Sequence, residues 1–355
     1  MRVLATNIIS PLGSTTEENY QALLQGKTAL RHYVAGTRNI PFDFCASMFP
    51  ERPDFTDLCI QSAKEAMDKA ESSPLGGDRG GLFLLSTTKG KICERLGETA
   101  KEIATQIGIE SEPIVVCNAC VSGVAAQVLA MRLLRAGMYD YAVITGADIL
   151  NRFIVSGFQS LKALSAEPCR PFDIERLGLN LGEAVGTMVI APSKSPREGN
   201  WELEAGAICN DAYHISSPHP KGDGAYKVLQ EVMSGANTDD LACVGVHGTA
   251  TMYNDQMESV AIERAGLSDV PISALKGYYG HTLGAAGLIE TIITMRALDD
   301  GIVLPSKGFY ELGVSKKVNI SSETLHIDGS RRGLSFIKML SGFGGVNAAV
   351  RYAKR

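Results

Sequence analysis

Two stretches constrain this chain more than anything else in it. PIVVCNACVSGVAAQVLAMRLLRAG at 113–137 and PISALKGYYGHTLGAAG at 271–287 each carry an apolar strand through a tight turn into a helix that opens on small residues. A helix beginning Ser-Gly-Val-Ala-Ala has little bulk to present, so it packs closely inside a core and not along a surface. Each turn holds one chemically active side chain, Cys120 in the first and His281 in the second. A thiol placed where a helix begins faces unsatisfied N–H groups and the positive end of the dipole, which predicts a lowered pKa and a nucleophile. The competing reading is a cysteine that only packs, the commoner fate of a thiol in an apolar run.

The flanking sequence alternates strands with helices. Residues 2–9 read as a strand, 14–25 as a helix entered through the capping box Ser14-Thr-Thr-Glu17, and 56–70 as a second helix. A buried strand at 81–86, an amphipathic helix from Leu96 to Gly108, the buried strand at 114–116 and another at 141–146 complete a β-α-β-α-β order. That order predicts an α/β domain with largely parallel, buried strands. KSPREGN at 194–200 reads as a linker, and the same rhythm restarts beyond it: strands at 201–209, 241–247 and 270–275, helices at 225–234, 256–265 and from Ala285, and closing strands at 334–340 and 348–352. No stretch repeats in sequence, yet the echo in topology predicts two similar halves, 1–199 and 200–355, whose strand ends converge on one site.

With 355 residues the chain is long enough for two such halves. A net charge of −5 without any basic run argues against a nucleic-acid partner. Apolar runs are strand-length and the first residues lack a leader's apolar region, so no membrane insertion and a cytoplasmic location are expected. The eight cysteines are scattered, which suits reduced thiols. Cys117 and Cys120 form a C-x-x-C, but a zinc site wants a second ligand pair, and a redox pair of this kind starts its helix at the first cysteine.

Three further motifs carry polar chemistry. His247-Gly-Thr-Ala-Thr251 follows an apolar strand, where an imidazole projects into a cleft or else ties a loop together. Lys276 precedes His281 by five residues and is a cation able to bias protonation nearby. The glycines around Phe343 in SGFGG let a backbone N–H approach a ligand, or simply turn a hairpin. Arg170-Pro-Phe-Asp173 with Leu181-Gly-Glu183 suggests an internal ion pair.

ACVSG around Cys120, RPFD…LGE at 170–183, DAYHISSP at 211–218, HGTAT at 247–251, KGYYGHTLGAAG at 276–287 and GFGG at 342–345 occur in one order. In that order the chain resembles the elongating β-ketoacyl-[acyl carrier protein] synthases. The resemblance implies the thiolase fold, an α/β architecture with a five-layered α-β-α-β-α core, usually dimeric. It implies that Cys120 carries the acyl group, that His247 and His281 are the two active-site histidines, and that Lys276 is the family's motif lysine. Thr249 and Thr251 fall where threonines contact the phosphopantetheine arm. Phe343 falls on the gating phenylalanine, whose N–H with that of Cys120 forms the oxyanion hole. The implied reaction is decarboxylative condensation with malonyl-[acyl carrier protein], with no permanently bound cofactor and the carrier's phosphopantetheine arm bringing substrate.

Cys-His-His distinguishes this pattern from thiolases with a second cysteine, from coenzyme A-primed synthases with Asn at the second histidine, and from chain-length-factor subunits without the nucleophile. The segment between Ser86 and Cys120 is short for the family, and the basic stretch that docks the carrier is reduced to Arg52, Lys64 and Lys69. Ser341 replaces a common phenylalanine, and MYND at 252–255 replaces a small proline-containing loop. The resemblance implies fatty-acid or polyene/polyketide-type biosynthesis, and these departures point toward the second. They also motivate a second reading: a partner subunit that shapes the tunnel of a heterodimeric ketosynthase without condensing anything itself.

Overall fold

A computed structural model of the chain describes residues 1–70, 78–88, 95–193, 199–327 and 333–355. In chain order it runs β1 (Arg2–Ile9), α1 (Thr16–Leu24), β2 (Leu30–Tyr33), β3 (Phe44–Ser47), α2 (Phe55–Ala70), β4 (Gly81–Ser86), α3 (Leu96–Gln106), β5 (Ile114–Val116), α4 (Ser122–Arg135), β6 (Tyr141–Asp148), α5 (Arg152–Ser160), β7 (Leu181–Gly182) and β8 (Ala184–Ala191). It continues through β9 (Trp201–Asn210), α6 (Asp223–Met233), β10 (Leu241–Gly245), α7 (Met252–Arg264), β11 (Pro271–Ser273), α8 (Lys276–Tyr279), α9 (Ala286–Asp299), β12 (Ile302–Val303), β13 (Asn319–Ile320), β14 (Leu325–His326), β15 (Leu334–Gly342) and β16 (Val346–Lys354).

The strands form two arrays with the same internal order, β1-β8-β6-β4-β5 and β9-β16-β15-β10-β11. In both, the first two pairings are antiparallel and the last two parallel. Parallel neighbours need a crossover, and helices supply it each time. The arrays meet edge to edge where Arg2 pairs with Glu202. Helices α2 and α3 cover the outer face of the first array and α6 that of the second, with α7 packed on α6, while α4 and α9 touch strands of both. The result is the expected α-β-α-β-α layering.

The two central helices carry the small residues noted in the sequence, and the reason is distance. A Cβ on Gly287 would lie 2.5 Å from the Val124 nitrogen, and one on Gly123 would lie 2.9 Å from the Gly284 carbonyl oxygen. Helix α9 is buried on nearly every side, as an apolar helix enclosed between two sheets must be. Cys120 and His281 thus occupy matching places, the turn that leads from the fifth strand of each array toward a central helix.

Several local expectations shift. Strand β5 is half-buried and not buried, because it is the edge of its array. The first cap lies one residue later than expected: Thr15 accepts the Glu18 N–H at 3.1 Å, while Glu18 accepts the Ser14 N–H at 2.7 Å. Helix α7 starts four residues before the expected 256, directly after Thr251. Strands β2, β3 and β7 form a small separate sheet that the periodicity does not reveal, since each is four residues or shorter. Of the linker at 194–200, only Gly199 and Asn200 lie among the described residues. Among the described residues no helix is long and apolar enough to cross a membrane.

Candidate active site

Cys120 lies just before α4, buried, with Ala119 held at φ 47° in front of it. Two other non-glycine residues at positive φ flank the site: Ala250 at 59°, between Thr249 and Thr251, and Leu283 at 53°, just after His281. Left-handed backbone costs about 1–2 kcal/mol per such residue, and strain of this kind clusters where side chains must be aimed.

The structure brings the three expected residues together. The Cys120 sulfur and a ring nitrogen of each histidine lie within 4.8 Å of one another. The two imidazoles meet edge to face, centroids 5.1 Å apart. All three line a cavity of about 280 Å³, with Thr249, Thr251 and Phe343 also in its wall. The threonine hydroxyls lie 2.9 Å apart and bond to each other. Phe343 stacks on Phe158 of α5 at 5.5 Å, a partner the sequence did not disclose.

Donor directions follow from the hydrogen bonds. His281 Nδ1 accepts the Leu283 N–H at 3.3 Å, so the ring proton belongs on Nε2. His281 Nε2 and His247 Nδ1 are both buried without a hydrogen-bond partner. The cluster's spacing is one a metal ion can bridge, but the second partner of His281 is the reverse of what ligation needs. A ligating imidazole donates its remote N–H, and His281 accepts there.

The loop carrying His247 is pinned from both sides. Glu258 accepts the His247 N–H at 2.6 Å and the Gly248 N–H at 2.7 Å, and Asp255 accepts the Thr249 N–H at 3.0 Å. From the opposite side Lys276 Nζ donates to the His247 carbonyl at 2.7 Å and to Glu290 at 2.8 Å. Glu258, Asp255, Glu290 and Lys338, a second lysine on Glu290, are site residues that sequence reasoning missed. The available signal was a charge inside an apolar run, LSFIKML for Lys338 and GLIETII for Glu290.

The electrostatics correct one expectation. Burial pushes the Cys120 thiol up to about 11, outweighing the Lys276 cation and the N–H groups of Phe343 and Cys120 that pull it down. The helix start therefore does not by itself yield a resting thiolate, although those same two N–H groups converge on the sulfur. Both histidines are held well below the ordinary imidazole range, first by burial and then by Lys276 and other cations, so they stand neutral. Of the residues expected to supply an internal ion pair at 170–183, Arg170 and Glu183 each find another partner. Glu183 pairs with Arg38 and accepts the Phe49 and Leu150 N–H groups, while Arg170 pairs with Glu175. Of the two lysines expected to help dock a carrier, Lys69 is tied to Asn7 at 2.9 Å and Lys64 is exposed.

A thiol, two neutral imidazoles and paired backbone donors around one cavity are the groups that acyl transfer through a thioester needs. The chain belongs to the β-ketoacyl synthase family: the model of the β-ketoacyl synthase N-terminal domain matches residues 97–195 and that of the C-terminal domain residues 202–310. It is similar to a putative mitochondrial 3-oxoacyl-[acyl-carrier-protein] synthase of Schizosaccharomyces pombe, 28% identical over 77% of this chain and 66% of that protein. It is likewise similar to 3-oxoacyl-[acyl-carrier-protein] synthase 2 of Vibrio harveyi, 28% identical over 86% of this chain and 88% of that protein. Its fold matches the solved ketosynthase ApeO, in complex with its chain length factor ApeC, from Xenorhabdus doucetiae: TM-score 0.85, 22% identity, 100% of this chain and 98% of that one.

Proposed function

We propose that this chain is an elongating β-ketoacyl-[acyl carrier protein] synthase, joining an acyl group held on Cys120 to malonyl-[acyl carrier protein] with loss of carbon dioxide. The observation that carries the reading is the convergence of Cys120, His247 and His281, from three separate turns, within 4.8 Å. In the first half-reaction the Cys120 sulfur attacks the carrier-bound thioester. The Cys120 and Phe343 N–H groups hold the oxyanion, and the thiol proton leaves with the pantetheine sulfur. Because the thiol rests protonated, deprotonation accompanies attack.

In the second half-reaction His281 donates from Nε2, and His247 from its ring N–H, to the malonyl thioester carbonyl. The bond to the carboxylate breaks, carbon dioxide departs, and its electron pair forms an enolate that two neutral donors stabilise. The enolate carbon attacks the Cys120 thioester. Collapse expels the Cys120 thiolate, which takes up a proton, leaving the β-ketoacyl group on the carrier. Thr249 and Thr251 hold the phosphopantetheine arm in the cavity wall, and Phe343, stacked on Phe158, gates entry.

Acyl carrier protein is the proposed partner, in a homodimer or a heterodimer with a related subunit, and the proposed location is cytoplasmic. We take the two halves to divide near 199/200, a reading the repeated strand order supports. The complete Cys-His-His set favours a condensing subunit over a silent partner. Supplying the purified chain alone with acyl- and malonyl-carrier protein tests this. β-Ketoacyl product that disappears in Cys120→Ala is expected; if product needs a co-expressed second subunit, its persistence with Cys120→Ala counts against the reading.

A further inference from the structure

Glu290 does not have one lysine partner but two. Lys276 Nζ lies 2.8 Å from one carboxylate oxygen and Lys338 Nζ lies 2.5 Å from the other, with all three side chains buried. Each lysine also grips one of two successive carbonyls at the end of β10: Lys338 takes that of Val246 and Lys276 that of His247, both at 2.7 Å. Lys338 reaches its place by crossing Gly245, which is its register partner on β10; a Cβ there would lie 3.2 Å from the Lys338 Cδ. The strand thus leaves room for this side chain, and one carboxylate serves two ammoniums where a simple ion pair needs one.

We propose that Lys338 is a positioning residue: by clamping the Val246 carbonyl and sharing Glu290 with Lys276, it fixes the backbone that presents His247 and places a second ammonium beside the histidine pair. Two ammoniums and one carboxylate leave one net positive charge next to two imidazoles that must stay neutral to donate. Of the other titratable groups around the pair, Glu258 and Asp255 on α7 hold the backbone N–H groups of 247–249, the Cys120 thiol lies within 4.8 Å of both rings, and Asp148 at the end of β6 accepts the Gly284 N–H. Lys338 is among the causes that hold both imidazoles low, after burial and Lys276. Burial lowers Lys338 itself, while Glu290 counteracts that. Burial alone would push Glu290 up, yet the two lysines outweigh it and keep the carboxyl below its ordinary range.

This inference rests on the condensing function for its kinetic consequence but not for its electrostatic one, and a charge ladder separates the two. Lys338→Met removes one positive charge, Glu290→Gln adds one net positive charge, and the double variant returns to the wild-type balance. With ¹⁵N-histidine-labelled full-length protein, His247 and His281 are expected to protonate at the highest pH in Lys338→Met and at the lowest in Glu290→Gln. Wild type and the double variant should fall together between them. In condensation assays, Lys338→Met should lower kcat about tenfold more at pH 6 than at pH 8 with KM nearly unchanged, and the double variant should lose that pH dependence while keeping the pH-independent loss from the missing clamp on the Val246 carbonyl.

An unmoved titration order, with kcat falling uniformly at every pH and worst in the double variant, would overturn the proposal by making Lys338 a packing residue only. If Lys338→Met fails to fold, Glu290→Gln against wild type reads a charge step of the opposite sign. The expected titration order in a protein that condenses nothing would uphold this inference and sink the proposed activity. Intact condensation with no ordered titration would do the reverse.

Discussion

The imidazoles of His247 and His281 stand edge to face, ring centroids 5.1 Å apart and 82° between their planes. Each arrives from a different turn of the second array, and both are buried. A proton on either ring would sit unsolvated beside its neighbour and the buried lysines, and the pair is therefore built to work uncharged.

That arrangement sets a pH dependence of stability. Folded histidines held below their ordinary range bind fewer protons than unfolded ones once pH drops under about 6.5. Unfolding then takes up protons, so the histidines' full contribution is present above that pH and is lost progressively as pH falls toward their folded pKa values. Urea unfolding at pH 7 and pH 5 should show a larger loss for wild type than for His281→Asn; equal losses would contradict the neutral pair.

A resting thiol makes a second prediction. With Cys120 pushed up to about 11, its alkylation by iodoacetamide should keep accelerating with pH well past neutrality, read by peptide mass mapping at Cys120. A rate already level at pH 7 would show a standing thiolate and a different route into the first half-reaction.

Lys276→Met strands part of a buried network, leaving the His247 carbonyl without its donor and Glu290 with Lys338 alone. A loss of about 3 kcal/mol in unfolding free energy is expected by chemical denaturation. Condensation should fall as well, because the backbone that aims His247 loses one of its anchors. Unchanged stability would mean that Lys338 alone satisfies Glu290.

The close approach of the central helices can be tested apart from chemistry. Gly287→Ala places a methyl 2.5 Å from the Val124 nitrogen, on backbone that has nowhere to move. A loss of about 3 kcal/mol is expected, seen as a lowered Tm. Because the same shift displaces the turn holding Cys120, acyl transfer should weaken with it.

Much of the site was legible because small residues, glycines and the reactive side chains cluster in short motifs around Cys120, His247 and His281. What escaped is what comes from afar or depends on burial. An ion pair within 170–183 looked natural, but Arg38 and the Phe49 and Leu150 N–H groups, from outside that segment, fill the Glu183 carboxylate. The Cys120 thiol was expected low because a helix start can be read from residues, whereas the depth at which it is buried cannot. Lys338 looked like an ordinary strand lysine until β10, with Gly245, lay beside it. The edge position of β5 likewise depends on strand order, which no local pattern states.

The most direct test of the account is to follow the mass of the intact protein through one catalytic cycle. Incubation with an acyl-carrier protein should add one acyl group, mapped to the peptide bearing Cys120. A chase with malonyl-carrier protein should then remove it and yield β-ketoacyl-carrier protein. An acyl group that settles on another cysteine, or one on Cys120 that the chase does not release as condensed product, would contradict the account.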